Sequence, residues 1–132
     1  MLDSAYPIDL YEAALAVLHH SYSPYSEYKV ACALRTEAGD IFAGCNVENA
    51  AYGLTQCAEA SAIGAMVTQK TAVAIADVLI LVAADEPASP CGACRQRLME
   101  FALPEATVHM CSVSGAYRVS TMQALLPLAF DL

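Results

Sequence analysis

The sequence predicts an α/β fold in three α/β/α layers, with a mixed five-stranded sheet between helices. Three observations carry this expectation. Two strand-like runs joined by a short turn open the sheet region, and helical and strand-like segments alternate after them. Val78–Ala84 (VLILVAA) is apolar without a break, as a central strand covered on both faces must be. Ser89-Pro90 then marks a helix start, because Ser is a favoured N-cap and Pro a favoured first helical residue.

The elements follow in order. A first helix is expected over Ile8–His20, where Leu10, Ala14, Val17 and Leu18 fall at helical spacing and Ser23-Pro24 follows the end. Tyr28–Leu34 and Ile41–Val47 read as two strands around the turn Glu37-Ala38-Gly39-Asp40. A second helix is expected to start at an N-cap on Thr55 and to run to Val67. The strand Val78–Ala84 comes next, then a third helix from Ser89 to Phe101. Thr107–Ser112 and Ala116–Ser120 complete the five strands, and a short helix over Met122–Leu126 leads to Phe130.

Composition bounds what such a chain does. Its 132 residues suit one compact domain over 1–132. Of these residues 58% are apolar and 15% charged, against about a quarter charged in ordinary soluble domains. A small domain cannot hide that much apolar surface, so contact with another subunit is expected. The longest apolar stretch, Ala72–Ala84, is interrupted by Asp77 and falls short of the about 20 residues a membrane span needs. The start MLDSAYPIDLYEAAL places acids where a secretion signal needs a basic region, which predicts a cytoplasmic protein. The net charge of −8 offers no basic surface for phosphates, so a small uncharged substrate is expected rather than nucleic acid.

The six cysteines divide into two groups. Cys32, Cys45 and Cys111 stand singly among apolar neighbours and read as buried small hydrophobes. Cys57-Ala58-Glu59 and Pro90-Cys91-x-x-Cys94 lie at two helix starts, where free N–H groups and partial positive charge favour thiolates. Cys91 and Cys94 share a helix face, so three sulfurs converge if the two helix starts meet. Zinc takes four ligands, and three thiolates leave one position for water. Glu59, two residues after Cys57, is then placed as a proton shuttle for that water. Rival readings are a thioredoxin-like Cys-x-x-Cys pair and a structural zinc site with Cys45 as fourth ligand. His19, His20 and His109 lack paired spacing and read as structural.

Cys-x-Glu followed by Pro-Cys-x-x-Cys matches the zinc deaminase signature. Beyond it, the chain resembles the small homotetrameric cytidine deaminases over nearly its whole length. The matching blocks are Tyr22-Ser23-Pro24-Tyr25-Ser26, the run from Gly44 to Tyr52, Cys57-Ala58-Glu59, the run from Ser89 to Gln96, and Leu125-Leu126-Pro127 with Ala129-Phe130. The resemblance implies one Zn2+ per subunit on Cys57, Cys91 and Cys94, with Glu59 moving the protons. It implies hydrolysis of cytidine and 2′-deoxycytidine to the uridines and ammonia, in pyrimidine salvage. It gives Asn46 and Glu48 to the ribose 3′-hydroxyl, Tyr28 to the base, and the Ala58 backbone N–H to the base O2. Phe130, Ala50 and Tyr52 would approach the nucleoside from neighbouring subunits, so that active sites are shared within a homotetramer. One departure stands out: many members carry Arg directly after the catalytic Glu, and this chain has Ala60. Charge balance at the metal then falls to the helix N-termini, with Arg95 or Arg97. A deaminase of a modified cytosine nucleoside, such as a blasticidin-type antibiotic, is the nearest rival enzyme.

Overall fold

The computed structural model describes residues 6–70 and 74–132, so Met1–Ala5 and Thr71–Val73 lie outside the described residues. The N-terminal reading of the first five residues and the start of the Ala72–Ala84 run fall there. Four α-helices and five strands are present among the described residues: α1 (Ile8–Leu18), β1 (Val30–Thr36), β2 (Ile41–Cys45), α2 (Ala58–Gln69), β3 (Ile75–Val82), α3 (Gly92–Phe101), β4 (Ala102–Ser112), β5 (Tyr117–Thr121) and α4 (Met122–Leu125). No helix among the described residues is long and apolar enough to cross a membrane.

The strands form one sheet in the order β2-β1-β3-β4-β5. β1 runs antiparallel to both β2 and β3, while β3 and β4 are parallel and β5 is antiparallel to β4. This is the expected mixed five-stranded sheet. A parallel pair needs a crossover, which α3 supplies between β3 and β4. Because β2 and β3 each oppose β1, they point the same way and end at the same edge of the sheet.

Alternation along the central strands sorts side chains to two cores. Cys32, Leu34, Val78, Ile80, Val82, Val108 and Met110 pack with Ala58, Ala62 and Met66 of α2, Leu98 of α3 and Met122 of α4. Ala31, Ala33, Leu79, Leu81 and Cys111 face Leu10, Ala14 and Leu18 of α1, which recur every four residues along one helix stripe. The three layers are therefore α1, the sheet, and α2 with α3 and α4.

Several boundaries differ from expectation. α1 stops at Leu18, and the chain closes with Val17 and Leu18 carbonyls accepting from His20 and Ser21 N–H. β1 begins at Val30 rather than Tyr28, and β2 ends at Cys45 rather than Val47. β3 starts three residues earlier than expected, at Ile75, and β4 starts at Ala102, directly on the end of α3. β5 is displaced by one residue and α4 ends at Leu125. α2 does not start at Thr55: a single 3-10 turn over Tyr52–Leu54 precedes Thr55, and Cys57 is the N-cap. Likewise Cys91, not Ser89, caps α3. Cys32 and Cys111 are buried as expected, but Cys45, at the end of an edge strand, is only half-buried.

α2 lies unusually close to β2. A methyl group at Gly44 would sit 2.5 Å from the Ala62 backbone N and 2.7 Å from the Ser61 carbonyl carbon. Only a residue without Cβ permits this approach, and backbone atoms cannot step aside cheaply. On the other face Arg35 makes a forked pair with Asp9, at 2.6 and 2.9 Å, and reaches Asp77 at 3.3 Å, tying the first turn of α1 to β1 and β3.

Two predictions follow from this packing. Gly44→Ala should cost about 1–3 kcal/mol through overpacking, read as a lower denaturant midpoint at unchanged slope. The bond from Arg35 lowers the Asp9 carboxyl from 3.8 to about 2. A folded pKa below the unfolded one stabilises above about pH 4, and that contribution is lost as the pH falls towards 2. Because the Asp9 side chain is 54% exposed, the effect stays below about 1 kcal/mol. Asp9→Asn should thus be slightly less stable than the natural chain at neutral pH and equal to it near pH 2, measured by denaturant unfolding at both.

Candidate metal centre and substrate cleft

The site forms at the sheet edge where β2 and β3 end. α2 follows β2 and α3 follows β3, both on the same face, so their N-termini open towards one another. Cys57 caps α2 in extended backbone, and Cys91 does the same for α3. Cys94 is one turn into α3 and fully buried. The Sγ atoms of Cys57, Cys91 and Cys94 all lie within 4.8 Å of one another.

That spacing fits a small tetrahedral ion. Zinc–sulfur bonds of about 2.3 Å place two sulfurs about 3.8 Å apart, so small side-chain rotations close the trio on an ion. Among the described residues no fourth His, Cys or carboxylate joins the cluster. Cys45 stands outside it, which removes the reading of a closed four-cysteine site.

The thiols are not equivalent. Burial raises Cys57 above an ordinary thiol, and burial and the Glu59 charge raise Cys94 much further. Burial also works against Cys91, but the Cys94 N–H at 3.4 Å and the neighbouring thiols bring it below the usual value. Helix-start stabilisation, expected for all three, therefore prevails at one. A divalent ion would supply the missing positive charge for the other two.

Glu59, in the first turn of α2, is 4% exposed. Burial raises its pKa, against the opposing pull of its own backbone N–H, Cys94 and the Arg97 charge. Arg97 Nη1 lies 3.9 Å from Cys94 Sγ. Arg95 does different work: it donates to the Pro90 carbonyl at 2.8 Å and to the Leu125 carbonyl at 3.0 Å, joining the start of α3 to the end of α4.

Beside the sulfurs lies a cleft of about 180 Å³. Cys57, Ala58, Glu59 and Cys91 form one side, and Tyr28, Val30, Asn46, Ile80 and Val82 line the rest with Thr55, Ala88 and Ser89. The Asn46 amide is mostly committed: Oδ1 accepts from Val30 N at 3.0 Å and from the Ser21 hydroxyl, and Nδ2 donates to the Tyr28 carbonyl at 2.8 Å. It welds the start of β1 to the end of β2, and one N–H of the amide remains beyond these three bonds.

Glu48 lies outside this cleft. Its carboxylate accepts from Tyr25 N at 2.9 Å, Ser26 N at 3.2 Å and the Ser26 hydroxyl, in an adjoining depression with Asn49 and Tyr52. Ala50 is exposed, Tyr52 is 77% exposed and Phe130 is 72% exposed, and none of the three lines the cleft of its own chain. Sequence reasoning missed the strand-end wall of Val30, Ile80 and Val82, which the topology alone would have placed. It also left Arg95 and Arg97 undivided, although Arg97 is one helical turn beyond Cys94.

Three thiols and a buried carboxyl at two facing helix starts, beside a small cleft on a mixed sheet, define a metal-dependent hydrolytic enzyme of the zinc deaminase type. The family model described as the cytidine and deoxycytidylate deaminase zinc-binding region matches residues 7–110. The cytidine deaminase of Sporosarcina psychrophila is 42% identical over 112 residues, covering 84% of this chain and 81% of that protein. That of Halalkalibacterium halodurans is 36% identical over 123 residues, covering 92% and 91%. The crystal structure of cytidine deaminase from Burkholderia pseudomallei superposes with a TM-score of 0.88 at 39% identity, covering 95% of this chain and 99% of that one. The chain belongs to the cytidine and deoxycytidylate deaminase zinc-binding family, and zinc is its cofactor.

Metal analysis separates the sulfurs. With Cys94 as one of three ligands, Cys94→Ala should bring the bound zinc from about one ion per chain to a small fraction of that. Cys45→Ala should leave the zinc content unchanged.

Proposed function

We propose that this protein hydrolyses cytidine and 2′-deoxycytidine to the corresponding uridines and ammonia, serving pyrimidine salvage in the cytoplasm as a homotetramer. The matched family covers cytidine and deoxycytidylate deaminases, and the relatives at 36% and 42% identity are cytidine deaminases. The observation that carries the reading in this molecule is the placement of Glu59, a buried carboxyl on the wall of the cleft that Cys57 and Cys91 also line.

In this reading Cys57, Cys91 and Cys94 hold the zinc. The bound ion supplies an acidified water as nucleophile. Glu59 takes the proton of the attacking water and delivers it to N3 of the cytosine ring, while C4 becomes tetrahedral. Burial raises its pKa above that of an ordinary carboxyl, which suits a group that must both accept and return a proton. The same carboxyl then takes the proton of the new C4 hydroxyl and passes it to the amino group, so that the C4 carbonyl forms as the C4–N bond breaks and ammonia leaves. The buried Ala58 backbone N–H is the donor for O2 of the base. The apolar strand ends Val30, Ile80 and Val82 and the Tyr28 ring exclude water around the base.

The remaining N–H of Asn46 suits the ribose 3′-hydroxyl. Glu48, held by the Tyr25–Ser26 backbone, shapes the rim and would turn from that loop to reach the same hydroxyl. No side chain along the cleft is assigned to the 2′-hydroxyl, which supports turnover of both the ribo- and deoxyribonucleoside. The exposed aromatic side chains of Tyr25, Tyr28, Tyr52 and Phe130 support contact with neighbouring subunits. Phe130, Ala50 and Tyr52 complete the cleft of a neighbouring subunit, so assembly is a condition of full activity. A chain of net charge −8 with a cleft of this size suits a free nucleoside better than a polynucleotide.

The test is direct. Glu59→Gln should retain about one zinc per chain yet lose at least ~10²-fold in turnover of cytidine, followed as the fall in ultraviolet absorbance when uridine forms. Turnover close to that of the natural chain would rule out the assigned proton carrier.

A further inference from the structure

We infer that Arg97 is a positioning residue for the zinc centre, setting its guanidinium against the buried Cys94 sulfur and offsetting the negative charge that the ligand set creates. The inference rests on the zinc reading above and extends it to a side chain outside the ligand set.

Three thiolates around a divalent ion carry one net negative charge, and ionised Glu59 adds a second beside it. Cys94 and Glu59 are both buried, so this charge is poorly solvated. The N-termini of α2 and α3 each offer at most about half a positive charge. A full cation is therefore needed nearby, and the structure shows which one is placed for it. The chain has six Lys and Arg residues, and among the described residues neither Lys29 nor Arg118 is hydrogen-bonded to a sulfur of the trio. Arg35 is engaged by Asp9 and Asp77, Lys70 pairs with Asp40, and Arg95 donates to two backbone carbonyls. Arg97 directs Nη1 to Cys94 Sγ at 3.9 Å.

Arg97 is set there by its helix. It lies three residues after Cys94 on α3, so the two side chains share a face. That face borders an open groove between α2 and α3, lined by Ala60, Ile63, Gly64 and Val67 opposite Gln96, Arg97 and Glu100. The small side chains at Ala60 and Gly64 leave the guanidinium room to lie along the groove towards the sulfur. Cys94 is the natural target, being the most deeply buried thiol of the trio. The contact uses one N–H rather than a forked pair, so positive charge matters more here than guanidinium shape.

The experiment compares the zinc-loaded natural chain with Arg97→Gln and Arg97→Lys. Zinc transfer to a chromogenic chelator of known affinity gives the first readout. Arg97→Gln should weaken zinc binding by about 10–100-fold, the usual scale for losing a partner of a metal ligand, and Arg97→Lys should recover most of that loss. Cobalt-loaded protein gives the second: the sulfur-to-metal charge-transfer band should move to lower energy in Arg97→Gln, because a thiolate without its cation is easier to oxidise. Unchanged zinc affinity in Arg97→Gln, a Lys variant no better than Gln, or an unmoved cobalt band would each overturn the inference. Failure of the natural chain itself to bind zinc would instead overturn the zinc reading beneath it.

Discussion

Everything at this site depends on two helix N-termini opening over the same edge of one sheet. β2 and β3 flank β1, both antiparallel to it, and so deliver the chain to that edge twice. Each time the next helix on that face begins with a cysteine as its cap. The sulfurs meet because strand direction and helix placement leave them no other meeting place. Gly44 sets how near α2 can come to β2, and the crossover helix α3 fixes the other half. The Asn46 amide bonds then join the start of β1 to the end of β2, so the cleft wall and the cysteine platform belong to one hydrogen-bonded unit.

The electrostatics of the site run against its packing. Burial holds two of the three thiols and the Glu59 carboxyl towards their neutral forms. A group of acids forced into one low-dielectric corner stays protonated until positive charge arrives. The metal is the main source of that charge, with helix N–H groups and Arg97 as smaller ones. The same burial raises the Glu59 pKa above that of an ordinary carboxyl. Ala60 belongs to this balance as well, since it lines the groove in which the Arg97 side chain lies.

The fold class, the number of strands and the three sulfurs were legible in the residues themselves. Periodicity in Leu10, Ala14 and Leu18 and the apolar run of β3 needed no tertiary context, and the spacing of Cys91 and Cys94 placed them on one helix face. Helix starts were harder. Thr55 and Ser89 have the side chains of good caps, but each helix starts two residues further on, with Cys57 and Cys91 in the extended capping positions. β4 begins directly after Phe101 without a connecting loop, so no turn residue marked its start. The walls of the cleft came from strands far apart in sequence, which only the sheet order brings together. Glu48 lies turned to the Tyr25–Ser26 backbone, a local contact that no pattern in the run from Gly44 to Tyr52 announces.

The central claim is that three sulfurs of this chain bind zinc and leave its fourth position to a light atom. X-ray absorption at the zinc edge of the purified protein measures the coordination shell itself. Three sulfur neighbours at about 2.3 Å and one oxygen at about 2.0–2.2 Å are expected. A shell of four sulfurs, or of fewer than three, would contradict the claim.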